Sequence, residues 1–307
     1  MLIRSFSSSD VSAYVDLINS ADEVDKLGKA TSAQHVREWL GQPNRYPERD
    51  LFLAELAGTL VGYVEVCREL EIGRVILEGA VHPAHRGRGI GAGLLEAALS
   101  HSQELGARLV HIPIPERMAS ARRLAEGRGL AIVRRHWQMQ LGSQAEIPQM
   151  NLPPGFGCRH FLAGDEDRLT ALQNLAFAQS WGFRPNSVAE IGYRVGMSSC
   201  CDEGILFISE GDKVVAYCWT RRDECIGSRQ GTGHIWMMGV DPQYRGYGLG
   251  RAALLAGIDS LRRRGLKTIE LAVDSQNLAA RQLYESVGFE RKGGILWYQR
   301  ALTASGC

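Results

Sequence analysis

The sequence lacks the features that mark several broad classes of protein. Its 307 residues carry 35 Lys and Arg against 34 Asp and Glu, a formal net charge of +1, so it has none of the basic excess typical of nucleic-acid-binding domains. It also has no run of the roughly 18 consecutive apolar residues that a membrane-spanning helix needs. Apolar residues make up 45% of the chain, which is typical of a soluble globular protein. We therefore expect neither a nucleic-acid partner nor a membrane partner.

Paired cysteines and a leader segment are also missing. The seven cysteines are an odd number and are scattered without a C-x-x-C pair. This pattern is typical of reduced thiols and not of a disulfide framework or a zinc site. Residues 1–10 contain no apolar run long enough for a signal peptide. These absences predict a cytoplasmic protein without a metal, and they leave the oligomeric state open.

Several nucleotide and hydrolase motifs are absent. The sequence contains no G-x-x-x-x-G-K-[ST], no G-x-S-x-G and no H-E-x-x-H. Gly87, Gly89 and Ala92 formally satisfy the dinucleotide fingerprint G-x-G-x-x-A. However, Val110 and His111 stand about 20 residues further on, where that motif needs an acid for the ribose. A P-loop, a dinucleotide fold and these hydrolase types are therefore excluded.

One motif is present twice. Residues 81–91 read VHPAHRGRGIG and residues 240–250 read VDPQYRGYGLG, 159 positions further on. The same offset aligns Leu124-Ala125-Glu126 with Leu283-Tyr284-Glu285, so the register is kept well beyond the motif. Length and repeat together predict two copies of one domain. We place them at 1–142 and 157–307, with a Pro- and Gly-rich linker at 143–156.

Hydrophobic periodicity predicts the same order of elements in both halves. An opening strand is followed by two helices, a hairpin, a strand that enters the glycine motif, a helix, a strand, a short helix and a closing strand. Asp10 and Asp165 stand where an N-cap is expected for the first helix of each half. The alternation of strands and helices predicts an α/β fold.

The repeated Arg-Gly-x-Gly-x-Gly motif, between a strand and a helix, has a physical use. Glycine adopts positive φ and lets a ligand approach the backbone. The helix that follows offers unpaired N–H groups and the positive end of its dipole, which favour a phosphate or a pyrophosphate. The arginine adds a charged donor. A purely structural turn is the alternative, and recurrence of the motif in register favours phosphate binding.

The sequence resembles the GCN5-related N-acetyltransferase (GNAT) family. The likeness rests on V-x-P-x-x-R-G-x-G-x-G, followed after a helix and a strand by Asn277-x-x-Ala280-x-x-x-Tyr284-Glu285-x-x-Gly288-Phe289. It covers the chain as two tandem domains. The resemblance implies a mixed, mainly antiparallel sheet with flanking helices, splayed open after its fourth strand, with acetyl-CoA as co-substrate in the opening.

The same resemblance assigns acetyl-CoA to particular residues. In the second copy these are Met238, Gly239, Val240, Arg245, Gly246, Tyr247, Gly248, Leu249, Gly250, Arg251 and Asn277. The first copy keeps a candidate loop, which consists of Val81, Arg86, Gly87, Arg88, Gly89, Ile90 and Gly91. Whether this first site binds acetyl-CoA stays open.

Acetyl transfer from a thioester to an amine has three requirements. The amine must lose a proton, the carbonyl oxygen must be stabilised, and the departing thiolate must be protonated. The resemblance implies that Tyr284 is the general acid. The first copy has Ala125 at this register and Met118 at that of Asn277. Because neither of these side chains can donate a proton, we expect the second copy to be the catalytic one.

The general base is less clearly marked. Alternation along the strand that enters the second motif predicts that His234, Trp236, Met238 and Val240 share one face. The His234 imidazole could accept the proton of the ammonium group directly or through water. A strand histidine held in a structural hydrogen bond is an equal alternative.

Other segments carry weaker signals. Glu270 and, in the first copy, Glu78 are minor base candidates that are better explained as structural or solvated carboxylates. The aromatic and polar loop 179–186 is either a substrate lid or a packed connection. The acids between residues 22 and 25 could meet a cationic acceptor, and a solvated acidic loop is the preferred interpretation.

The sequence therefore predicts an acetyl-CoA-dependent N-acetyltransferase. We expect the acceptor to be a primary amine, first of all of a small metabolite, which attacks the thioester directly in the second domain. A peptide or protein amine is the alternative acceptor. A non-catalytic acyl-CoA-binding regulatory module is the alternative from a different class of function.

Overall fold

The computed structural model describes residues 1–200, 203–222 and 231–302. It has the predicted α/β fold and divides into two compact units. Unit 1 comprises Met1–His136 together with Gly294–Cys307, and unit 2 comprises Trp137–Gly293. These bounds differ from the sequence boundaries at 142 and 157, because each unit is completed by a strand segment from the other half of the sequence.

Unit 1 follows the predicted order of elements and adds one short helix, which was not predicted, before the hairpin. They are β1 (Leu2–Ser5), α1 (Val11–Asp25), α2 (Ala33–Leu40), α3 (Pro47–Asp50), β2 (Leu51–Leu56), β3 (Thr59–Glu69), β4 (Arg74–Val81), α4 (Ile90–Glu104), β5 (Leu109–Pro115), α5 (Ala119–Glu126) and the first part of β6 (Ala131–Leu141).

Unit 2 repeats this order, without a counterpart of α3 among its described residues. Its elements are β7 (Phe156–His160), α6 (Glu166–Phe177), α7 (Val188–Val195), β8 (Ile205–Glu210), β9 (Lys213–Arg222), β10 (Thr232–Val240), α8 (Leu249–Arg263), β11 (Thr268–Asp274), α9 (Leu278–Val287) and the first part of β12 (Glu290–Ala301).

The sheet of unit 1 opens after its fourth strand. Its strand order is β1-β2-β3-β4-β5-β12, antiparallel except for the parallel pair β4 and β5. The parallel pairing ends at Ile76–His111, while β4 stays paired with β3 as far as Gly62–Val81. Beyond Ile76, β4 and β5 therefore diverge.

Unit 2 opens at the same point and adds an irregularity. Its strand order is β7-β8-β9-β10-β11-β6, and the parallel pairing of β10 with β11 ends at Ile235–Leu271. The antiparallel register of β10 with β9 shifts between Ile235 and Met237, so Trp236 is the extra residue of a β-bulge. The β3–β4 register of unit 1 carries no such shift.

Because of the bulge, the prediction that His234, Trp236, Met238 and Val240 share one face of β10 is wrong. Met238 and Val240 pack against the core around α8, but Trp236 packs with the aromatic cluster beside α6 and α7. An inserted residue reverses the alternation of side chains along a strand. Ile235 lies in the α8 core, so its neighbour His234 lies on the face of α6 and α7.

The segment predicted as a linker is part of unit 2. Residues 142–155 form no helix or strand, yet Ile147, Met150 and Leu152 pack against the core around α8. The Arg262 guanidinium donates to the Ala145 carbonyl at 2.9 Å. These contacts hold the segment on the surface of unit 2.

Further sequence expectations concern thiols and membrane spans. Cys67, Cys158, Cys200 and Cys218 are free thiols, and Cys201, Cys225 and Cys307 lie outside the described residues. Within the described ranges, no helix combines the length and the apolar character that crossing a membrane would take.

Asp165 stabilises the start of α6 differently from the expected cap. Its side chain makes no cap hydrogen bond to the helix, because its backbone is already close to helical and the carboxylate points back along the chain. It accepts hydrogen bonds from the Leu162 N–H at 2.9 Å and from the guanidinium groups of Arg159 and Arg168. These donors, Arg159 first, hold the pKa of the carboxyl well below its usual range. Asp10 of unit 1 is bound in the same way by Ser7 and Arg4.

Replacing Asp165 with Asn tests this interaction. A group whose pKa is depressed by folding stabilises the fold above its unfolded pKa, about 3.9 for Asp, and this contribution is lost as the pH falls. We expect Asp165→Asn to lower the free energy of unfolding by about 2 kcal/mol at pH 7, and the difference to shrink below about pH 5. Chemical denaturation between pH 3 and pH 7 measures both. The matched control is Asp212→Asn in an exposed turn; an equal loss there would contradict the assignment.

Candidate active site

The glycine loop of unit 2 ends in a helix start that can bind an anion. Gly246 and Gly248 have φ values of 89° and 78°, and a Cβ on either would meet no atom within 4 Å. Both glycines therefore face open space in a conformation that other residues avoid. The first bond inside α8 runs from the Ala252 N–H to the Gly248 carbonyl at 3.1 Å. The three N–H groups before Ala252 have no acceptor within the helix, which is the arrangement that binds phosphate.

The loop of unit 1 has the same geometry. Gly87 and Gly89 have φ values of 76° and 82°, and α4 makes its first bond from the Gly93 N–H to the Gly89 carbonyl at 3.0 Å. Val81 and Leu124 approach the next glycine, Gly91, where a Cβ would lie 3.3 Å from Leu124. The small residue lets the start of α4 pack closely on its neighbours.

The loop arginines are already engaged by protein groups. Arg86 donates two hydrogen bonds to the Asp25 carboxylate, at 2.8 and 2.6 Å, and a third to the Val81 carbonyl at 3.0 Å. In unit 2, Arg245 donates to the Ala176 carbonyl at 2.9 Å. Each arginine thus ties its loop to the end of the first helix of the unit. The backbone N–H groups of the loop are left as the main anion donors, and contact of these arginines with acetyl-CoA stays a prediction.

The carboxylates of Asp22 and Asp25, beside the contact of Arg86 with the end of α1, have structural roles. Asp25 is held by Arg86, and Asp22 accepts hydrogen bonds from the N–H groups of Leu27 and Lys29, both at 2.9 Å. The sequence interpretation of a simply solvated acidic loop is therefore wrong for these two residues. Their carboxylates shape the segment after α1.

The remaining loop residues of unit 2 are more exposed. Tyr247 is 60% exposed. Arg251, in the first turn of α8, donates to the Ser286 hydroxyl at 2.7 Å. Asn277 caps α9, since its side-chain oxygen accepts from the Ala280 N–H at 3.1 Å. Its counterpart Met118 begins α5 with no side-chain cap bond.

Tyr284 lies on α9 and is buried. Its side chain belongs to the core around α8, and its ring centroid is 6.0 Å from that of Phe289. Burial, with a smaller effect from the Cys218 thiol, raises the pKa of Tyr284 above its usual value. The phenol therefore holds its proton at neutral pH.

The backbone of β10 beyond the bulge is packed against protein on one face and has left its partner strand β11 on one edge. Gly239 allows no side chain, because a Cβ there would lie 2.7 Å from the Tyr217 ring and 2.8 Å from Ala176. On one edge this stretch is paired with β9 as far as Val240. The pairing with β11 on the other edge has ended at Ile235. Met238, Gly239 and Val240 thus bring their second edge to the gap between the strands.

An aromatic and cationic cluster lies beside His234. Arg221 is the register partner of His234 across β9 and β10. Its guanidinium carbon lies 3.4 Å from the ring centroid of Trp236, and that ring meets Trp219 edge-on at 4.6 Å. Burial lowers the pKa of Arg221 to about 10. Sequence analysis missed this cluster, although Tyr217, Trp219 and Arg221 alternate along β9.

The weaker base candidates have protein partners. Lys29 and Glu78 are ion-paired at 3.2 Å, and the charge of Lys29 lowers the pKa of Glu78. Glu270 accepts a hydrogen bond from the Gln140 amide at 3.0 Å. These contacts support a structural role for both carboxylates.

The end of loop 179–186 is fastened to the neighbouring helices. Asn174 and Asn186 exchange two hydrogen bonds, both of 2.9 Å, and Arg184 is ion-paired with the buried Glu190. This bonding favours a packed connection over a lid. Among the described residues, no group of three or more His, Cys, Asp or Glu is placed to hold a metal ion.

Comparison with known proteins agrees with this geometry. The family model described as "Acetyltransferase (GNAT) family" matches residues 16–130 and 157–289. The mycothiol acetyltransferase of Thermobispora bispora is 36% identical over 231 residues, which cover 73% of this chain and 75% of the relative. That of Saccharomonospora viridis is 36% identical over 293 residues, covering 88% and 92%.

Solved structures give the same fold over the whole chain. A GCN5-related N-acetyltransferase from Sphaerobacter thermophilus is 25% identical with a TM-score of 0.74, covering 98% of this chain and 95% of the other. A tandem GNAT protein from the clavulanic acid biosynthesis pathway has a TM-score of 0.77 at 15% identity, covering 100% and 99%, and this likeness concerns the fold alone. The chain thus belongs to the GNAT family as a tandem member similar to mycothiol acetyltransferases, and it is an N-acetyltransferase that uses acetyl-CoA as co-substrate.

Proposed function

We propose that the protein transfers acetyl from acetyl-CoA to the primary amine of a small metabolite, and that the chemistry takes place in unit 2. The observation that carries this proposal is the β-bulge at Trp236, at the point where β10 leaves β11. A bulge leaves backbone groups out of the strand ladder. An N–H group freed there can donate to the thioester oxygen as its negative charge develops.

The two faces of unit 2 suit the two ends of the reaction. The sulfur end of the thioester lies on the face of α8 and α9, where Tyr284 is buried. The amine approaches from the face of α6 and α7, on which His234 lies. Its nitrogen attacks the carbonyl carbon through the gap, the C–S bond breaks, and the Tyr284 hydroxyl protonates the departing sulfur. Before the attack, one ammonium proton passes to His234 directly or through water, or to solvent if His234 is structural. The nitrogen loses its second proton as the C–S bond breaks, and this proton returns through water to the Tyr284 oxygen and restores the acid.

The proposed acceptor follows from the relatives. Mycothiol acetyltransferases of 36% identity cover most of this chain, which supports a mycothiol-related amine as the first candidate. Peptide and protein amines are the second candidates. A non-catalytic acyl-CoA-binding module is the alternative in which neither unit turns over.

Unit 1 lacks the features on which this mechanism depends. Ala125 stands in place of the acid and Met118 in place of Asn277, and the register of β4 with β3 is regular. We therefore propose that unit 1 binds a CoA thioester at its glycine loop without transferring the acyl group.

Replacing Tyr284 with Phe tests the acid. We expect the variant to lose roughly 100-fold or more in kcat, as is typical of a missing general acid, and to keep its affinity for acetyl-CoA. Isotope-labelled acetyl-CoA is incubated with the amine substrate of a mycothiol acetyltransferase, and separately with a bacterial metabolite extract, and the products are read by mass spectrometry. Tyr46→Phe, which removes the same hydroxyl from an exposed tyrosine of unit 1, is the control and should behave as the unmodified chain.

Each result of that experiment has a definite meaning. A labelled small amine whose formation needs Tyr284 supports the proposal. A labelled product formed equally by Tyr284→Phe moves the acid elsewhere. If acetyl-CoA binds and no small amine is labelled, a peptide library in the same assay separates a protein acetyltransferase from a binding module.

His234 can be tested by chemical rescue. If its imidazole accepts the amine proton, His234→Ala lowers kcat with little change in the KM for acetyl-CoA, and added imidazole restores part of the rate. A purely structural histidine gives a variant that imidazole does not rescue. Activity with and without imidazole, together with the melting temperature of the variant, distinguishes the two roles.

A further inference from the structure

A large cavity in unit 1 runs from the glycine loop into the opening between β4 and β5. Its volume is 460 Å³, and Arg86, Gly87 and Gly89 lie at its loop end. The walls of its inner part are apolar and come from β4, α4, β5 and α5: Leu77, Leu94, Leu95, Ile112, Ile114 and Leu124. A cavity of this size that joins an apolar inner part to polar and charged residues elsewhere on its wall is typical of a ligand site.

The cavity extends into the place that the acid takes in unit 2. Val64 of β3 corresponds by strand register to Cys218 of β9. Val64 stands two residues after Gly62, which pairs with Val81, and Cys218 stands two residues after Ala216, which pairs with Val240. In unit 2, Tyr284 lies in the same core as Cys218 and near enough for the thiol to affect its pKa. In unit 1, Val64 and Ala125 both line the cavity. The Tyr284 side chain thus occupies a position in unit 2 whose counterpart in unit 1, beside the smaller Ala125, is part of the cavity.

This space is separate from the charged part of the cavity. The cavity is also lined by Lys29, Glu78 and Tyr63. Tyr63 packs with the cluster around α1, and Lys29 and Glu78 pair with each other. Val64, Leu77 and Ala125 belong instead to the core around α4. A ligand can therefore meet the loop N–H groups at one end and an apolar pocket at the other.

We propose that unit 1 is a binding site for CoA thioesters with an acyl group longer than acetyl, and that the acyl chain occupies the space left by Ala125. The inference rests on the proposed binding of a CoA thioester by the loop of unit 1. The pyrophosphate meets the start of α4, and the chain adds apolar contacts in the pocket. Because Ala125 provides no acid, the thioester is held there and not transferred.

Direct binding to the full chain tests the inference, once the loop of unit 2 is disabled. Gly248→Val serves for this, because Gly248 has a φ of 78° that a β-branched residue cannot adopt without strain. If that variant does not fold, Arg251→Glu places a negative charge in the first turn of α8 instead. Isothermal titration calorimetry then compares CoA, acetyl-CoA, butyryl-CoA and hexanoyl-CoA.

The expected gain in binding affinity with acyl chain length follows from the burial of methylene groups. Each buried CH₂ strengthens binding about fourfold, so butyryl-CoA should bind roughly 15-fold more tightly than acetyl-CoA. Ala125→Tyr should remove this gain and leave the affinity for CoA itself unchanged. Ala125→Ser, which keeps the space open, is the matched control and should retain the gain. If Ala125→Tyr lowers the melting temperature strongly, Ala125→Leu fills the pocket in its place.

The outcomes separate this inference from the function it rests on. A chain-length gain that is lost in Ala125→Tyr and kept in Ala125→Ser supports it. Equal affinity for all four compounds overturns it and leaves CoA binding by unit 1 in place. No binding of any of them overturns both the inference and the proposed role of the loop in unit 1. Acetyl transfer by unit 2 is measured separately, in the unmodified chain.

Discussion

The divergence of two parallel strands is the constraint on which the candidate site depends. β10 is held by β11 for only four residue pairs, 232–235 with 268–271, while β9 continues along its other edge to Val240. Buried backbone N–H and C=O groups need partners. The edge of β10 left by β11 is therefore suited to a ligand that supplies amides of its own. The glycine loop lies directly after this edge, so a long ligand with an anionic end fits both.

The two units share this scaffold and differ at the few groups to which we assign the chemistry. Both have the opening and a loop with two glycines at positive φ. The β9–β10 register is shifted by a bulge, whereas the corresponding β3–β4 register of unit 1 is regular. In addition, α9 carries Tyr284 at the position where α5 carries Ala125. In our proposal, one copy of the duplicated domain carries out the transfer, while the other binds a CoA thioester in a cavity that Ala125 lines.

Sequence analysis located the parts of the candidate site that depend on local sequence. The glycines, the helix after them and Tyr284 stand in a motif that can be recognised by spacing. The β-bulge was missed, because one extra residue in an apolar strand leaves no compositional mark and reverses the faces of Met238 and Val240. The tie between Arg86 and Asp25 was missed as well, since the two residues are far apart along the chain and only the fold brings them together.

The sequence by itself determined the repeat, the order of the elements, the position of both glycine loops and the difference between Tyr284 and Ala125. These follow from periodicity, turn chemistry and residue identity, which act over a few positions. Only the tertiary structure decided which sheet each closing strand completes: residues 294–301 pair with β5 of unit 1, and residues 137–141 belong to unit 2. Both closing strands have similar patterns, and strand pairing is selected by long-range packing that no short stretch of sequence encodes.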